Sequence, residues 1–195
     1  MGHLTPLNYR RLQKRMDRFV PGIPHSEFLY EILRILFTDD EARLCSVMPL
    51  TDFDIPRISR IWGKSEEESA AVLKTLADKG LVFEFPLDGV PRYVLAPPVL
   101  GFFEFSLMRM DDGRFDHQKL SEYYYRYLNM EKDFIREYLS VYPQVARVLV
   151  HENAVEEYVS EVLPYEKASE IIGSARCVTV GTCFCRHKME HLGMA

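Results

Sequence analysis

The sequence predicts a mainly α fold of the α+β kind: short helices, one small antiparallel ribbon, then more helix. Three observations predict it. Apolar residues recur at helical spacing through most of the 195 residues. Ser/Thr-x-x-Glu signatures open two of the candidate helices. One Asp-Gly pair, lying between two β-prone runs, marks a hairpin. A composition of 47% apolar, 27% charged and 12% aromatic residues excludes disorder and fits a packed core.

At the N-terminus, Leu12, Met16 and Phe19 share one face of a helix that also carries Arg10, Arg11, Lys14, Arg15 and Arg18. Residues 1–24 read as a basic arm that docks as a short helix, with "VPGIPH" (20–25) as a linker. "SEFLYEILRILF" follows, with Ser26 as N-cap and apolar residues at 28, 29, 32, 33, 36 and 37. Thr38 and Glu41 form a capping box for a helix that ends before Pro49 and holds Cys45 as a buried thiol. "TDFDIPRISRIWG" is a short helix with Pro56 in its first turn and Gly63 at its end. Ser65 and Glu68 open the next helix with a second box. Gly80 closes it, and Ala71, Val72, Leu76 and Ala77 supply its apolar face. "LVFEF" and "RYVLA" flank "PLDGVP" as a hairpin. Residues 25–96 thus read as a winged helix-turn-helix with a two-stranded wing.

Residues 97–163 read as a helical segment. Asp111-Asp112-Gly113 is a turn, and Asp116 caps a helix with apolar residues at 120, 123, 124, 127 and 128. Asn129 separates it from a continuation carrying Phe134, Ile135, Tyr138 and Leu139. The run Tyr123-Tyr124-Tyr125 reads as core, since no basic stripe interleaves it as a base-stacking platform requires. "ARVLVHE" is extended. Residues 164–195 hold a helix entered through Pro164, with Ile171 and Ile172 inside, then a short strand "RCVTV" leading into "GTCFCR".

The charge distribution bears on function. The chain carries a net −5, yet residues 1–20 hold five basic side chains against Asp17 alone, so the body is strongly acidic. Such a body repels nucleic acid and anionic membrane over most of its surface. With no signal-peptide stretch and no apolar run near 20 residues, a cytoplasmic location without a transmembrane segment is expected. The helix that would enter the major groove opens with Glu66, Glu67 and Glu68. Base reading there needs Arg, Lys, Asn or Gln, and phosphate contacts need cations. The wing offers Asp88 and one arginine, Arg92. DNA binding is therefore disfavoured, and the motif reads as a packing or protein-contact module. A winged-helix transcription regulator, redox-sensing through its cysteines, stays as the alternative, and a homodimer stays open. No Gly-rich phosphate loop, Gly-x-Ser-x-Gly or His-Glu-x-x-His is present, so catalysis is the weakest reading. Glu156-Glu157 read as a solvated helix face.

Three of the four cysteines, Cys177, Cys183 and Cys185, stand in the last twenty residues. They read as free thiols, with Cys177 buried in its strand, as zinc ligands or as part of an iron–sulfur site. Zinc would draw on Cys183, Cys185, His187 and His191. One residue separates Cys185 from His187, where a structural zinc finger has about twelve, so that set is strained. His117 and His151 have no sequence partner and read as surface or core histidines. An iron–sulfur cluster needs four thiolates, of which Cys183 and Cys185 are well placed; Gly181 frees the backbone before them and Arg186 stands beside them.

The stretch "LPYEKASEIIGSARCVTVGTCFCRHKMEHLGMA" resembles bacterial and archaeal 4Fe–4S ferredoxin-type proteins, in which a Pro-Tyr-Glu helix leads into Cys-x-Cys-Arg. "VLGFFEFSLMR" and "EILRILFTDDEA" resemble upstream segments of the same family, so the likeness covers nearly the whole chain. The resemblance implies a 4Fe–4S cluster with Cys183 and Cys185 as metal ligands and Arg186 as a cofactor-binding residue. In the family further cysteines follow within about ten residues, then ferredoxin repeats, whereas this sequence reaches Ala195 without them. The expectation is an N-terminal scaffold of a longer electron-transfer protein, which contacts a redox partner or the missing ferredoxin domain.

Overall fold

The computed structural model describes residues 6–108, 113–140, 142 and 165–194. These are mainly helical, with one two-stranded antiparallel sheet.

Helix α1 (Leu7–Met16) lays Tyr9, Leu12, Gln13 and Met16 against α3 and α2. The Tyr9 hydroxyl donates to Phe37 O at 2.9 Å, and Gln13 Nε2 donates to Ile23 O at 2.8 Å. Ile23 is fully buried, so the Pro/Gly stretch read as a linker is packed and α1 belongs to the core. Helix α2 (Glu27–Leu36) starts as expected, Ser26 Oγ accepting from the Phe28 and Leu29 amides. It buries Leu29, Ile32, Leu33 and Leu36 completely. Each contributes about 1.5–3 kcal/mol relative to an exposed side chain. The Ser26 hydroxyl also donates to Glu131 Oε1 at 2.7 Å, which ties the start of α2 to the end of a later helix.

Both predicted capping boxes are formed. Thr38 and Glu41 open α3 (Asp39–Cys45), and Ser65 and Glu68 open α5 (Glu66–Asp78). Between them α4 (Ile55–Trp62) is capped by Asp54, carries Pro56 in its first turn and stops at Gly63. Trp62 Nε1 donates to Leu44 O at 3.1 Å and so fixes α4 on α3. Lys79, at the end of α5, pairs with Glu41 at 2.6 Å, both side chains largely covered. The apolar face of α5 differs from expectation: Ser69, Leu73 and Leu76 are buried, while Ala71 is exposed. Leu76 is buried as expected and Val72 is partly covered, while contact with α4 and β1 adds Ser69 and Leu73 to the face and leaves Ala71 out.

Strands β1 (Val82–Leu87) and β2 (Val90–Leu95) pair from Val82 with Leu95 to Leu87 with Val90. Asp88 and Gly89 connect them at φ of 51° and 77°, the two left-handed positions that a two-residue hairpin requires. Phe53 bridges Tyr93 through reciprocal bonds of 2.9 and 2.8 Å, anchoring the ribbon to the start of α4. Arg92 is paired with Asp52 at 2.7 Å and with Asp54 at 3.3 Å.

After an irregular turn at Pro98–Phe102 comes α6 (Phe103–Met108). Helix α7 (His117–Tyr125) is capped by Asp116 and runs through a widened turn at Arg126–Met130. Helix α8 (Lys132–Ser140) follows it. Phe102, Phe103, Tyr124, Tyr127 and Phe134 form an edge-to-face cluster, for example Phe103–Tyr124 at 5.3 Å. Within α8, Phe134 is buried and Tyr138 partly so, but Leu139 is exposed. Helix α9 (Tyr165–Ser174) buries nothing. Ile171 and Ile172, expected inside, are 56% and 60% exposed. "RCVTV" is not a strand either: it is extended chain without a ladder, and Val180 is 97% exposed. A β-prone run forms a strand only where a partner edge is offered, and the described sheet has just β1 and β2. The "ARVLVHE" segment, His151 and Glu156-Glu157 lie outside the described residues. The last helix, α10 (Phe184–His191), packs on α7 and α6. No helix among the described residues is long and apolar enough to cross a membrane.

Candidate functional site

The end of the chain is brought to the body by backbone contact. The Thr182 amide donates to Met108 O at 2.7 Å. Gly181 lies so close to the same carbonyl that a Cβ there would sit 3.1 Å from it. This approach, at the end of α6, places residue 183 as the N-cap of α10. Phe184 then turns inward, its ring 5.8 Å from that of Tyr124. The residues on either side, Cys183 and Cys185, are exposed. The pair expected as ligands therefore stands at the surface, at the start of a helix whose first amides lack intrahelical partners. Cys185 also lines an apolar cleft of about 460 Å³ with Val99, Phe103, Leu128, Phe134 and Leu139.

The other two cysteines differ sharply. Cys177, expected to be buried in a strand, is exposed on the extended segment, because no partner edge among the described residues covers it there. Cys45 is fully buried, and desolvation pushes its thiol well above the ordinary range, the Glu41 carboxylate adding to the effect. It is the structural thiol the sequence predicts. Arg186 is exposed beside the pair. As a cluster site, the donor set among the described residues is partial: Cys177, Cys183 and Cys185 are three exposed thiols, and Cys45 is sealed away.

The histidines behave otherwise than expected. His187 and His191 lie on one face of α10, one turn apart, but that face meets α7 and not the cysteines. There His117, the first residue of α7, joins them. The three rings are within 4.6–5.9 Å of one another, centroid to centroid. One ligand nitrogen from each falls within 4.8 Å of the others. The Cys₂His₂ set, already strained in sequence, is not assembled; His117 is a core histidine, as one reading has it, and it meets two other imidazoles there. His187 Nδ1 lies 2.7 Å from Leu107 O, and since a carbonyl only accepts, Nδ1 carries the proton. Its Nε2 is then a lone-pair acceptor, 3.0 Å from His191 Nε2. Only the His-x-x-x-His spacing of 187 and 191 was visible in the sequence; His117 arrives from 70 residues upstream through the docking of α10.

Next to this group, Lys188 is buried with Nζ 3.1 Å from Asn129 Oδ1 and 5.4 Å over the Phe184 ring. Burial lowers its pKa from the usual lysine value. Elsewhere, Arg11, Lys14, Arg15, Arg18 and Arg43 line a groove of about 560 Å³ together with Trp62.

Comparison with protein-family models, with curated proteins and with solved structures found no match to this chain.

Proposed function

We propose that this chain is a non-catalytic scaffold of a 4Fe–4S electron-transfer protein, in which Cys183 and Cys185 present two thiolates to a cluster. The observation that carries the reading is the outward presentation of both thiols around the inward Phe184, on a helix pinned to the body by Thr182, Phe184 and Lys188. An incoming cluster half would meet accessible sulfurs on a helix that is packed against the body. Arg186, exposed beside them, supplies a positive charge for an anionic cluster. The remaining thiolates come from a partner or from a ferredoxin domain, in keeping with the family resemblance. The exposed apolar residues Ile171, Ile172, Val178 and Val180 offer such a partner a surface just before the pair. The helices and ribbon of residues 25–96, read as a winged helix, serve packing and protein contact.

Anaerobic reconstitution with ferrous iron and sulfide tests this. The 195-residue chain is expected to retain iron at well under one four-iron cluster per molecule, and to lose it in Cys183→Ser/Cys185→Ser. A full, stable cluster on the chain alone contradicts the half-site. Retention unchanged in the double variant removes the two thiols from the role.

A second reading, a DNA-binding regulator, draws on one observation: the five-cation groove beside Trp62. Against it, Glu66, Glu67 and Glu68 stand exposed on the first turn of α5, and Arg92 of the ribbon is already neutralised by Asp52 and Asp54. Gel-shift titration of random duplex across salt separates the readings. Sub-micromolar binding with a steep negative salt slope supports the regulator.

A further inference from the structure

We infer that His117, His187 and His191 form a binding site for a divalent transition-metal ion, Zn²⁺ first, that clamps α10 to α7. The site is distinct from the thiol pair: among the described residues, no sulfur or carboxylate joins the group of ligand atoms.

Four observations converge. First, the donor set is right, since three neutral imidazoles with one open position suit zinc. Second, the spacing is near-ready. Two nitrogens bound tetrahedrally at about 2.0–2.1 Å lie about 3.3 Å apart, and His187 Nε2 and His191 Nε2 are 3.0 Å apart. The third ligand atom lies within 4.8 Å of the other two. Third, His187 already has the outer partner of a metal-bound imidazole. Its Nδ1–H donates to Leu107 O, which fixes the tautomer and aims the Nε2 lone pair into the group. Fourth, His117 and His187 are 4% and 9% exposed while His191 is partly open, so an ion has a shielded site with an entrance.

In the metal-free pair with both rings neutral, the proton on His187 Nδ1 makes His191 Nε2 the donor to His187 Nε2. On binding, that proton moves to His191 Nδ1, the neutral imidazole changing tautomer, and both Nε2 lone pairs face the ion. No net proton is released from the neutral pair. Water takes the fourth position. The consequence is mechanical: a metal joins the first residue of α7 to two successive turns of α10, whose start bears Cys183 and Cys185.

The test uses the full chain with the exposed Cys177, Cys183 and Cys185 all changed to Ser, leaving only the sealed Cys45, so that no accessible thiolate contributes. Titration with Zn²⁺ is expected to show one saturable site per chain, with an affinity close to that of the same site in the unsubstituted chain. The Co²⁺ derivative should show tetrahedral ligand-field bands without thiolate-to-cobalt charge transfer. His191→Ala in this background should weaken binding by at least roughly 100-fold, more than losing an outer-shell partner does. His191 is the least buried of the three, and its variant is checked for a cooperative thermal transition. Long-range ¹H–¹⁵N spectra of the triple-Ser chain give a second readout that needs no histidine change: Zn²⁺ should shift the ring nitrogens of His117, His187 and His191 together. No saturable binding in the triple-Ser chain overturns the proposal, as does binding unchanged by His191→Ala or ring shifts confined to other histidines. Because the exposed thiols are absent, these outcomes leave the iron–sulfur reading to its own test.

Discussion

Cys45 and Cys183 show how far one residue type diverges with its surroundings. Cys45 is sealed among apolar side chains and its thiol is pushed up by desolvation, so it resists becoming the reactive thiolate. Cys177, Cys183 and Cys185 are open to solvent. A thiol-specific reagent should therefore modify three cysteines of the folded chain promptly and the fourth only on unfolding, as mass spectrometry of the labelled peptides will read. Tyrosines obey the same physics. Burial raises the pKa of Tyr124 and of Tyr127, whose hydroxyl donates to Pro24 O at 2.9 Å. Unfolded tyrosine ionises near pH 10, about where the folded chain still holds these protons. The stability they contribute is present below about pH 10 and lost as pH rises toward the folded values. Tyr127→Phe should cost about 1 kcal/mol near neutrality. It should then lose less stability than the parent between about pH 9 and pH 11 in urea titrations.

Among elements, α3 and α5 carry the same capping signature with different loads. The Ser65 cap and Glu68 serve only the exposed start of α5. Glu41 accepts from the Thr38 amide and also pairs with Lys79, both partners mostly covered, so one carboxylate joins the start of α3 to the end of α5. Ser65→Ala should cost about 1 kcal/mol. Glu41→Ala should cost more, about 2–3 kcal/mol, because it also leaves a largely buried ammonium without its partner. Equilibrium denaturation measures both, and a Glu41/Lys79 double-mutant cycle isolates the pair. Equal costs for the two substitutions would mean the ion pair contributes nothing.

Over the whole molecule, the core runs continuously from α1 through α2 to the aromatic cluster and Phe184 of α10, while α9 stays outside it. Leu33→Ala, at a fully buried site of α2, should cost about 2–5 kcal/mol. Ile171→Ala and Ile172→Ala, despite removing as much apolar carbon, should each stay within about 0.5 kcal/mol of the parent. Thermal or urea midpoints of the three variants check the contrast; a large loss at Ile171 or Ile172 would mean that α9 is packed in solution.

Helix starts at Ser26, Thr38, Ser65 and Asp116, the ends at Gly63 and Gly80, and the Asp88-Gly89 hairpin were legible in the sequence because each rests on bonds or dihedrals within a few residues. The outward thiols were half legible: Cys-x-Cys was plain, whereas their exposure depends on Phe184 finding Tyr124. What only the tertiary structure decided is long-range. It put Ile171 and Ile172 in solvent, added Leu73 to the buried face of α5, and brought His117 to His187 and His191. Periodicity says that a helix has a face to bury, but which neighbour arrives to cover it, and so which side chains meet, is set by packing between elements far apart in the chain.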